Sequence, residues 1–428
     1  MHSLLRSLSL CVLATLAIAP SRYAAAQAEL PNGFIRLEGT YVDVITDLPV
    51  DDELLELPKV FDLAMPRWCE IFDMTLEEVQ DWHVEAHVML DRDRFASAGL
   101  IPEHLPNFPY GFQFGNQLWL VEQPSTYYRR HLLLHEGTHW FMSRKYGQYG
   151  PPWLMEGMAE WLGTHRWSSG KLEMGIIPAT KTEVPYWGRI TLIQEQYAEG
   201  LAPSLESILR YGSTAHQQVE AYAWSWAAVL FLSNHPTTKE HFAALLRQPM
   251  KSDLTLTRWL YGRLRTQFPS LRQDWSAFLS ELEYGYDPTS GMLVTSRNSP
   301  LLSNEPKQVT VRASGSWQSA GVSVAAGTLL HLAAAGEYSV GQVPRPWVCQ
   351  PDGVTLEYYH RQPIGKLMLA LATPLSQEPQ FTPNLEIFPV GSQADLSAPH
   401  DGELFFRVNE SNGGLLDNQG LIQVTITP

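Results

Sequence analysis

Hydrophobic spacing along the chain changes character near residue 290. Upstream, residues 41–47 (Tyr-Val-Asp-Val-Ile-Thr-Asp) alternate apolar and polar like a half-buried strand, and residues 52–72 put Leu54, Leu57, Phe61 and Trp68 on one side of a helix. A second alternating run, Val84 to Leu90, precedes a Gly/Pro-rich stretch at 99–111. Residues 116–122 (Asn-Gln-Leu-Trp-Leu-Val-Glu) then predict a strand that leads into a helix. This order predicts a mixed α+β lobe. From Trp153 to about Gly285 the spacing is helical in character, most clearly over 221–233 and 270–285. Pro288, Gly291, Pro300 and Pro306 mark the change, and short alternating runs follow at 308–313, 328–336, 354–359, 367–372, 385–391, 403–409 and 421–427. Strand-length runs broken by Gly, Pro and Asn predict an all-β sandwich. No solenoid-type repeat is visible.

The first residues carry Arg6, an apolar run from Leu8 to Ala19 and then Ala24-Ala25-Ala26, the pattern of a secretory signal cut after Ala26 or, alternatively, after Ala28. The expectation is therefore an exported protein, extracellular or periplasmic. No later apolar stretch is long enough to predict a transmembrane segment. Removing Arg6 and Arg22 with the leader takes the formal charge from −15 to −17. That acidity, with no cluster of Lys and Arg, argues against a nucleic-acid partner. Cys69 and Cys349 remain after the leader; they either bridge two regions or stay as buried thiols, and the apolar helical run around Cys69 favours the thiol.

Candidate chemistry is concentrated in residues 131–141, His-Leu-Leu-Leu-His-Glu-Gly-Thr-His-Trp-Phe. On a helix, positions four apart share a face, so His135 and His139 are able to present imidazoles to one ion, with Glu136 one step round. Alone the pattern leaves three readings: a catalytic metal site, the polar turn of a core helix, or a site that has lost its chemistry. Residues 151–161 (Pro-Pro-Trp-Leu-Met-Glu-Gly-Met-Ala-Glu-Trp) add a second helix that starts at Pro-Pro. It offers Glu156 as a carboxylate ligand, completing a His₂Glu set with an open fourth position. Glu160, four residues on, is set to accept the outer N–H of a liganding imidazole. Both acids sit among Trp153, Leu154, Met158 and Trp161, an unusual setting for unpaired carboxylates.

His135-Glu136-x-x-His139, followed by Trp-Leu-x-Glu-Gly-x-Ala-Glu at 153–160, resembles the gluzincin metallopeptidases, in particular the bacterial peptidase MA-like group. The resemblance spans roughly residues 35–285. It implies zinc at the base of a cleft between an α+β lobe and a helical lobe, with His135, His139 and Glu156 as ligands. It also implies that Glu136 acts as the general base that activates zinc-bound water and passes a proton to the leaving amine. Tyr222 matches by position and context the tyrosine that steadies the oxyanion, with Tyr197 and Tyr211 as weaker candidates; a Tyr packed among Trp224 and Trp226 is equally well read as core. In this fold Asn116–Val121 is expected as the exposed edge strand that a peptide substrate joins. Trp119 is expected in the core, His131 at the surface or supporting a ligand, and His165 and His216 have no assigned role.

Downstream, the Trp-Gln-x-x-Gly opening at 317–321, the Ala-Ala-Gly strand end at 334–336 and the Asn-Glu…Asp-Asn-x-Gly loop at 409–420 resemble the calcium-dependent galactose-binding lectins of the PA-IL type. The resemblance implies Glu410, Asp417 and Asn418 as Ca2+ ligands and His360 near the sugar. Position 410 departs from the usual Asp. The expected whole is a leader (1–26), an α+β zincin-like catalytic domain (34–290), a linker with a first strand (291–311) and a jelly-roll-like sandwich (312–428). Its expected function is Zn2+-dependent hydrolysis of a peptide or protein substrate, with a glycan or cell-surface ligand for the sandwich. The rival expectations are a non-catalytic surface- or glycan-binding protein with a zinc-bearing lobe, and a zinc hydrolase acting on a bond other than a peptide.

Overall fold

The structure is a computed structural model that describes residues 30–428 apart from 216–217, 251, 253, 297, 343–344 and 374–384. The expected leader and His216 lie outside the described residues. A helical N-terminal region with one mixed sheet is followed by a β-rich C-terminal region.

The N-terminal region contains β1 (Ile35–Glu38), β2 (Val42–Thr46), α1 (Asp52–Leu55), α2 (Leu57–Phe72), β3 (Val84–Met89), α3 (Arg92–Ser97), β4 (Gly111–Phe114), β5 (Gln117–Val121), α4 (Thr126–Tyr146) and α5 (Pro152–Gly163). After a hairpin of β6 (His165–Ser168) and β7 (Lys171–Met174) come α6 (Arg189–Ala198), α7 (Leu205–Ile208), α8 (Val219–Asn234), α9 (Lys239–Leu245), α10 (Thr255–Leu264) and α11 (Phe268–Glu281). The sheet order is β1-β2-β3-β5-β4, with β2–β3 and β3–β5 parallel and both outer pairs antiparallel. The expected edge strand is therefore an inner one. β5 is covered by β4, because Gly115, at φ 57, closes a tight turn that folds the end of the Gly/Pro-rich stretch back onto it.

The span 153–285 is not helical throughout. Ser169 (φ 51) and Gly170 (φ 72) both adopt left-handed backbone and close the β6–β7 hairpin, as a two-residue turn of this type requires. α4 is buried along most of its length, so it carries His and Arg side chains into the interior rather than a simple apolar stripe.

The C-terminal region runs β8 (Lys307–Arg312), β9 (Gln318–Val324), β10 (Leu329–Ala335), β11 (Tyr338–Val340), β12 (Trp347–Cys349), β13 (Val354–Tyr359), β14 (Gln362–Ile364), β15 (Leu367–Ala372), β16 (Leu385–Pro389), β17 (Gln393–Ser397), β18 (Gly402–Val408) and β19 (Gln419–Thr427). One sheet orders β12-β11-β19-β10-β17, with β8 also on β19; the other orders β16-β15-β18-β9. Alternate residues of both sheets, among them Val311, Leu332, Leu369, Phe406 and Val424, share one core. This is a sandwich.

Every residue of β15 is buried. Its second face, Met368, Ala370 and Ala372, packs with Phe405 and Trp317 against Ala277 of α11 and Leu293. Burial on both faces explains why Leu-Met-Leu-Ala-Leu-Ala carries no polar position. Arg407 of β18 pairs with Glu281 of α11, whose other oxygen accepts Trp317 Nε1 at 2.9 Å. Cys69 and Cys349 are both free and buried, in separate cores, so they do not bridge the two regions. No helix among the described residues is long and apolar enough to cross a membrane.

Candidate metal centre

α4 begins at Ser125, whose hydroxyl accepts Tyr128 N–H at 3.1 Å, and stops at Gly147 in left-handed backbone. α5 starts at Pro151-Pro152. The unassigned positions of both sequence motifs are fixed by packing. A Cβ on Gly137 would lie 2.7 Å from the Phe61 ring and 2.8 Å from that of Trp68, and Thr138 accepts Trp68 Nε1 at 3.0 Å. A Cβ on Gly157 would lie 2.5 Å from Ser225 O, because the α8 backbone passes directly over α5.

These contacts bring three donor atoms together. His135 Nε2 and His139 Nε2 are 3.2 Å apart, and Glu156 Oε2 is 3.4 and 3.3 Å from them. An ion bound tetrahedrally at the zinc distance of about 2.0–2.1 Å spaces its donors about 3.3–3.4 Å apart, so the triangle has the size of a zinc coordination face. Glu156 Oε2 is buried and makes no hydrogen bond. Burial disfavours a charged His135, yet Glu156, Glu160 and Glu136 outweigh it and raise its pKa to about 9. Burial also raises the Glu156 carboxyl, but the two imidazoles override this and hold it below the usual carboxylate range. A site that keeps the Glu156 and Glu160 carboxylates charged and favours a proton on its imidazole is one that attracts a cation. These residues are able to hold a metal ion.

Behind the triangle, Glu160 Oε1 faces His135 Nδ1 at 3.4 Å. Glu160 is 2 % exposed and is held by Arg189, which donates through Nε (3.0 Å) and Nη2 (2.9 Å), and by Trp187 Nε1 at 3.1 Å. His131 is buried rather than at the surface: its Nε2 lies 3.6 Å from Glu160 Oε2, and Tyr127 and Tyr128 stack on its ring. His131, His135 and Glu160 also converge as a second group of donors. The Arg189 guanidinium already occupies that carboxylate on both oxygens, so the second group does not fit a metal. His165 is buried, with Nδ1 2.8 Å from Gly163 O. Trp119 is core and donates to Leu100 O.

Glu136 is buried, and burial raises its carboxyl pKa, with His135 and His139 pulling the other way. Its Oε1 lies so close to β4 that a Cβ on Gly111 would be 2.4 Å away. The Tyr222 ring centroid is 6.1 Å from that of His135, with the Arg189 guanidinium 5.6 Å from the Tyr222 ring. Burial, followed by the nearby carboxylates, pushes the Tyr222 phenol up, so it stays a donor. Tyr197 and Tyr211 are elsewhere: Tyr197 faces Ser276 and Ser280 of α11, and Tyr211 lies near Glu220.

In the sandwich, Asn418 Nδ2 donates to Glu410 Oε2 (2.7 Å) and Ala313 O (3.2 Å), while Asn418 Oδ1 accepts Gly341 N–H (3.3 Å) and Asp417 Oδ2 accepts Gln342 N–H (3.0 Å). Asn418 thus turns a nitrogen, not an oxygen, towards Glu410. Here the Asn418 amide and the Asp417 carboxylate tie this loop to Gly341 and Gln342. Burial raises Glu410 to about 7, and it lines a cavity of about 230 Å³ with Trp347, Glu357, Tyr358 and Tyr359. His360 (φ 46) and Arg361 (φ 66) form the β13–β14 turn, with the His360 ring 4.1 Å from that of Tyr359.

No protein family and no curated protein matches this chain. Among solved structures, one described as the EclA N-terminal domain, a PllA-like lectin, is 18% identical and covers 28% of this chain and 93% of its own, with a TM-score of 0.22.

The N-terminal cluster can hold a cation on three ligands, move a proton through a buried carboxylate of raised basicity and donate a hydrogen bond from a phenol. Two contributors carried no signal in the sequence. Arg189 is one Arg in an ordinary amphipathic run, and Gly111 ends a stretch that reads as loop.

Proposed function

We propose that this chain is an exported zinc-dependent peptidase of the gluzincin kind, hydrolysing peptide bonds at the His135–His139–Glu156 cluster. The observation that carries the proposal is the 3.2–3.4 Å donor triangle with the buried Glu136 beside it. Zinc bound there supplies a Lewis acid that acidifies water and polarises a carbonyl. Glu136 Oε1, against Gly111, takes the proton of the attacking water and returns it to the leaving nitrogen. Tyr222 donates its hydroxyl hydrogen to the carbonyl oxygen as charge develops on it. Glu160, itself fixed by Arg189 and Trp187, accepts from His135 Nδ1 and so keeps the lone pair of Nε2 in the triangle. The outer edge of β4 binds the extended peptide by adding a strand. Glu136→Gln is expected to retain one zinc per chain and to lose about 10²–10⁴-fold in peptide hydrolysis. Full activity in that variant overturns the reading.

For the sandwich, the same proposal assigns an accessory role in holding a glycan or cell-surface ligand. It is supported by the aromatic cavity of Trp347, Tyr358 and Tyr359. A glycan array probed with wild type and Trp347→Ala tests it; equal binding by both removes it.

A further inference from the structure

The main chain of β4 offers its hydrogen-bonding groups alternately. Tyr110 O accepts Val121 N–H at 2.7 Å, and Gly111 pairs in register with Leu120. The groups of Tyr110, Phe112 and Phe114 therefore turn to β5, and those of Gly111 and Gln113 turn outward. Glu136 lies against Gly111, so the reacting bond sits at its level. Gln113 is already engaged: the Tyr149 hydroxyl is 3.0 Å from Gln113 O and 2.5 Å from Gln113 Oε1. The side-chain amide of Gln113 is anchored in turn, with Nε2 donating to Gly115 O at 2.8 Å, which holds Oε1 towards Tyr149. One hydroxyl proton thus faces two acceptors.

We infer that Tyr149 and Gln113 form an end-stop for the N-terminus of the substrate, so that this enzyme removes one or two residues from peptides with a free α-amino group. The inference rests on the peptidase reading and names the substrate class of that same site. Gln113 lies two residues beyond Gly111, about 7 Å along a strand, which leaves room for one or two substrate residues. A longer chain has to displace the Tyr149–Gln113 hydrogen bond before it can pair with Gln113. The chemistry of the stop sets the direction. Two acceptors sharing one proton receive an ammonium, which has three donors and no acceptor, and they repel a carboxylate. Antiparallel addition, the more stable pairing, sends the peptide N-terminus the same way, from Gly111 towards Phe114.

The test uses the zinc-loaded full chain and peptides identical after the cut bond, with one, two or five residues before it, free or N-acetylated. Wild type is expected to favour the two-residue peptide over the five-residue peptide by at least about tenfold in kcat/KM, and to lose a similar factor on acetylation, which removes the ammonium charge, leaves one N–H in place of three and pushes an acetyl group against Tyr149. Tyr149→Ala is expected to collapse the length ratio to within about threefold. A binding measurement without turnover accompanies it. In Glu136→Gln, adding Tyr149→Ala is expected to tighten the five-residue peptide and not the two-residue one. Equal cleavage of all lengths by wild type overturns the end-stop and leaves the peptidase reading standing, and a length ratio unchanged in Tyr149→Ala removes Tyr149 from it. No hydrolysis of any peptide by the loaded wild type overturns the peptidase reading and the end-stop with it.

Discussion

A single methyl group at residue 111 tests how tightly Glu136, the proposed general base, is held. A Cβ on Gly111 would stand 2.4 Å from Glu136 Oε1 and 3.0 Å from its Cδ and Cγ, where real Cβ contacts essentially never come under 3.0 Å and 3.4 Å is ordinary. The carboxylate of Gly111→Ala must therefore retreat by about 0.6–1 Å. The helix that carries it cannot follow, because Gly137 already has the rings of Phe61 and Trp68 against it. Gly111 is not in left-handed backbone, so alanine adds no conformational strain there. A misplacement of about 1 Å in a reacting group costs about 10²-fold, or about 2.7 kcal/mol of barrier. The metal ligands are untouched, so zinc stoichiometry and thermal midpoint stay at wild-type values while kcat/KM falls. Undiminished kcat/KM refutes the assignment of Glu136 to this contact. A loss of activity that tracks loss of zinc shows instead that the methyl group acts on the ligand cluster.

Three further outcomes follow from the same geometry. Arg189→Met leaves the Glu160 carboxylate, 2 % exposed, without its guanidinium; this should cost about 3–5 kcal/mol in denaturant unfolding and about 10–100-fold in zinc affinity. Adding Glu160→Gln should recover part of the stability, whereas strictly additive losses contradict a coupled pair. His135, with a pKa raised to about 9 in the metal-free chain, carries its proton at pH 7.5 and must shed it to ligate. Zinc titration by calorimetry in buffers of different ionisation enthalpy should therefore release at pH 7.5 the proton of His135 together with that of the acidified water, more than one in all; a release below one is the contrary result. Gly157→Ala drives a Cβ to 2.5 Å from Ser225 O and 2.6 Å from Val229 Cγ2. It should lose about 1–3 kcal/mol in unfolding experiments, and a variant of unchanged stability contradicts the close α5–α8 crossing.

Local spacing carried much of the fold. The helical runs and most of the sandwich strands follow from periods of 3.6 and 2, and the pairing of His135 with His139 follows from one helical turn. What stayed hidden depends on contacts distant in sequence. Leu-Met-Leu-Ala-Leu-Ala is apolar throughout because α11 covers its outer face, which no local pattern records. β4 is a strand only because Gly115 folds it onto β5, so the edge lies one strand further out than the spacing at 116–122 indicates. His131 shares the helix face of His135, and spacing alone leaves it at the surface or in support of a ligand. It is interior because α4 is buried nearly all round. Arg189 meets Glu160 across 29 positions of sequence, and only the tertiary structure pairs them. The calcium expectation rests on residue types at matching positions, whereas which atom the Asn418 amide turns towards Glu410 is set by contacts distant in sequence.

The central claim, that His135, His139 and Glu156 hold a zinc ion, is tested most directly by zinc X-ray absorption on the purified chain with its metal content measured in parallel. The expected result is one zinc per chain, with only nitrogen and oxygen neighbours at about 2.0–2.1 Å, two of them imidazole, and one imidazole lost in His139→Ala. A chain that neither contains nor takes up stoichiometric zinc, or a spectrum unchanged in His139→Ala, contradicts it.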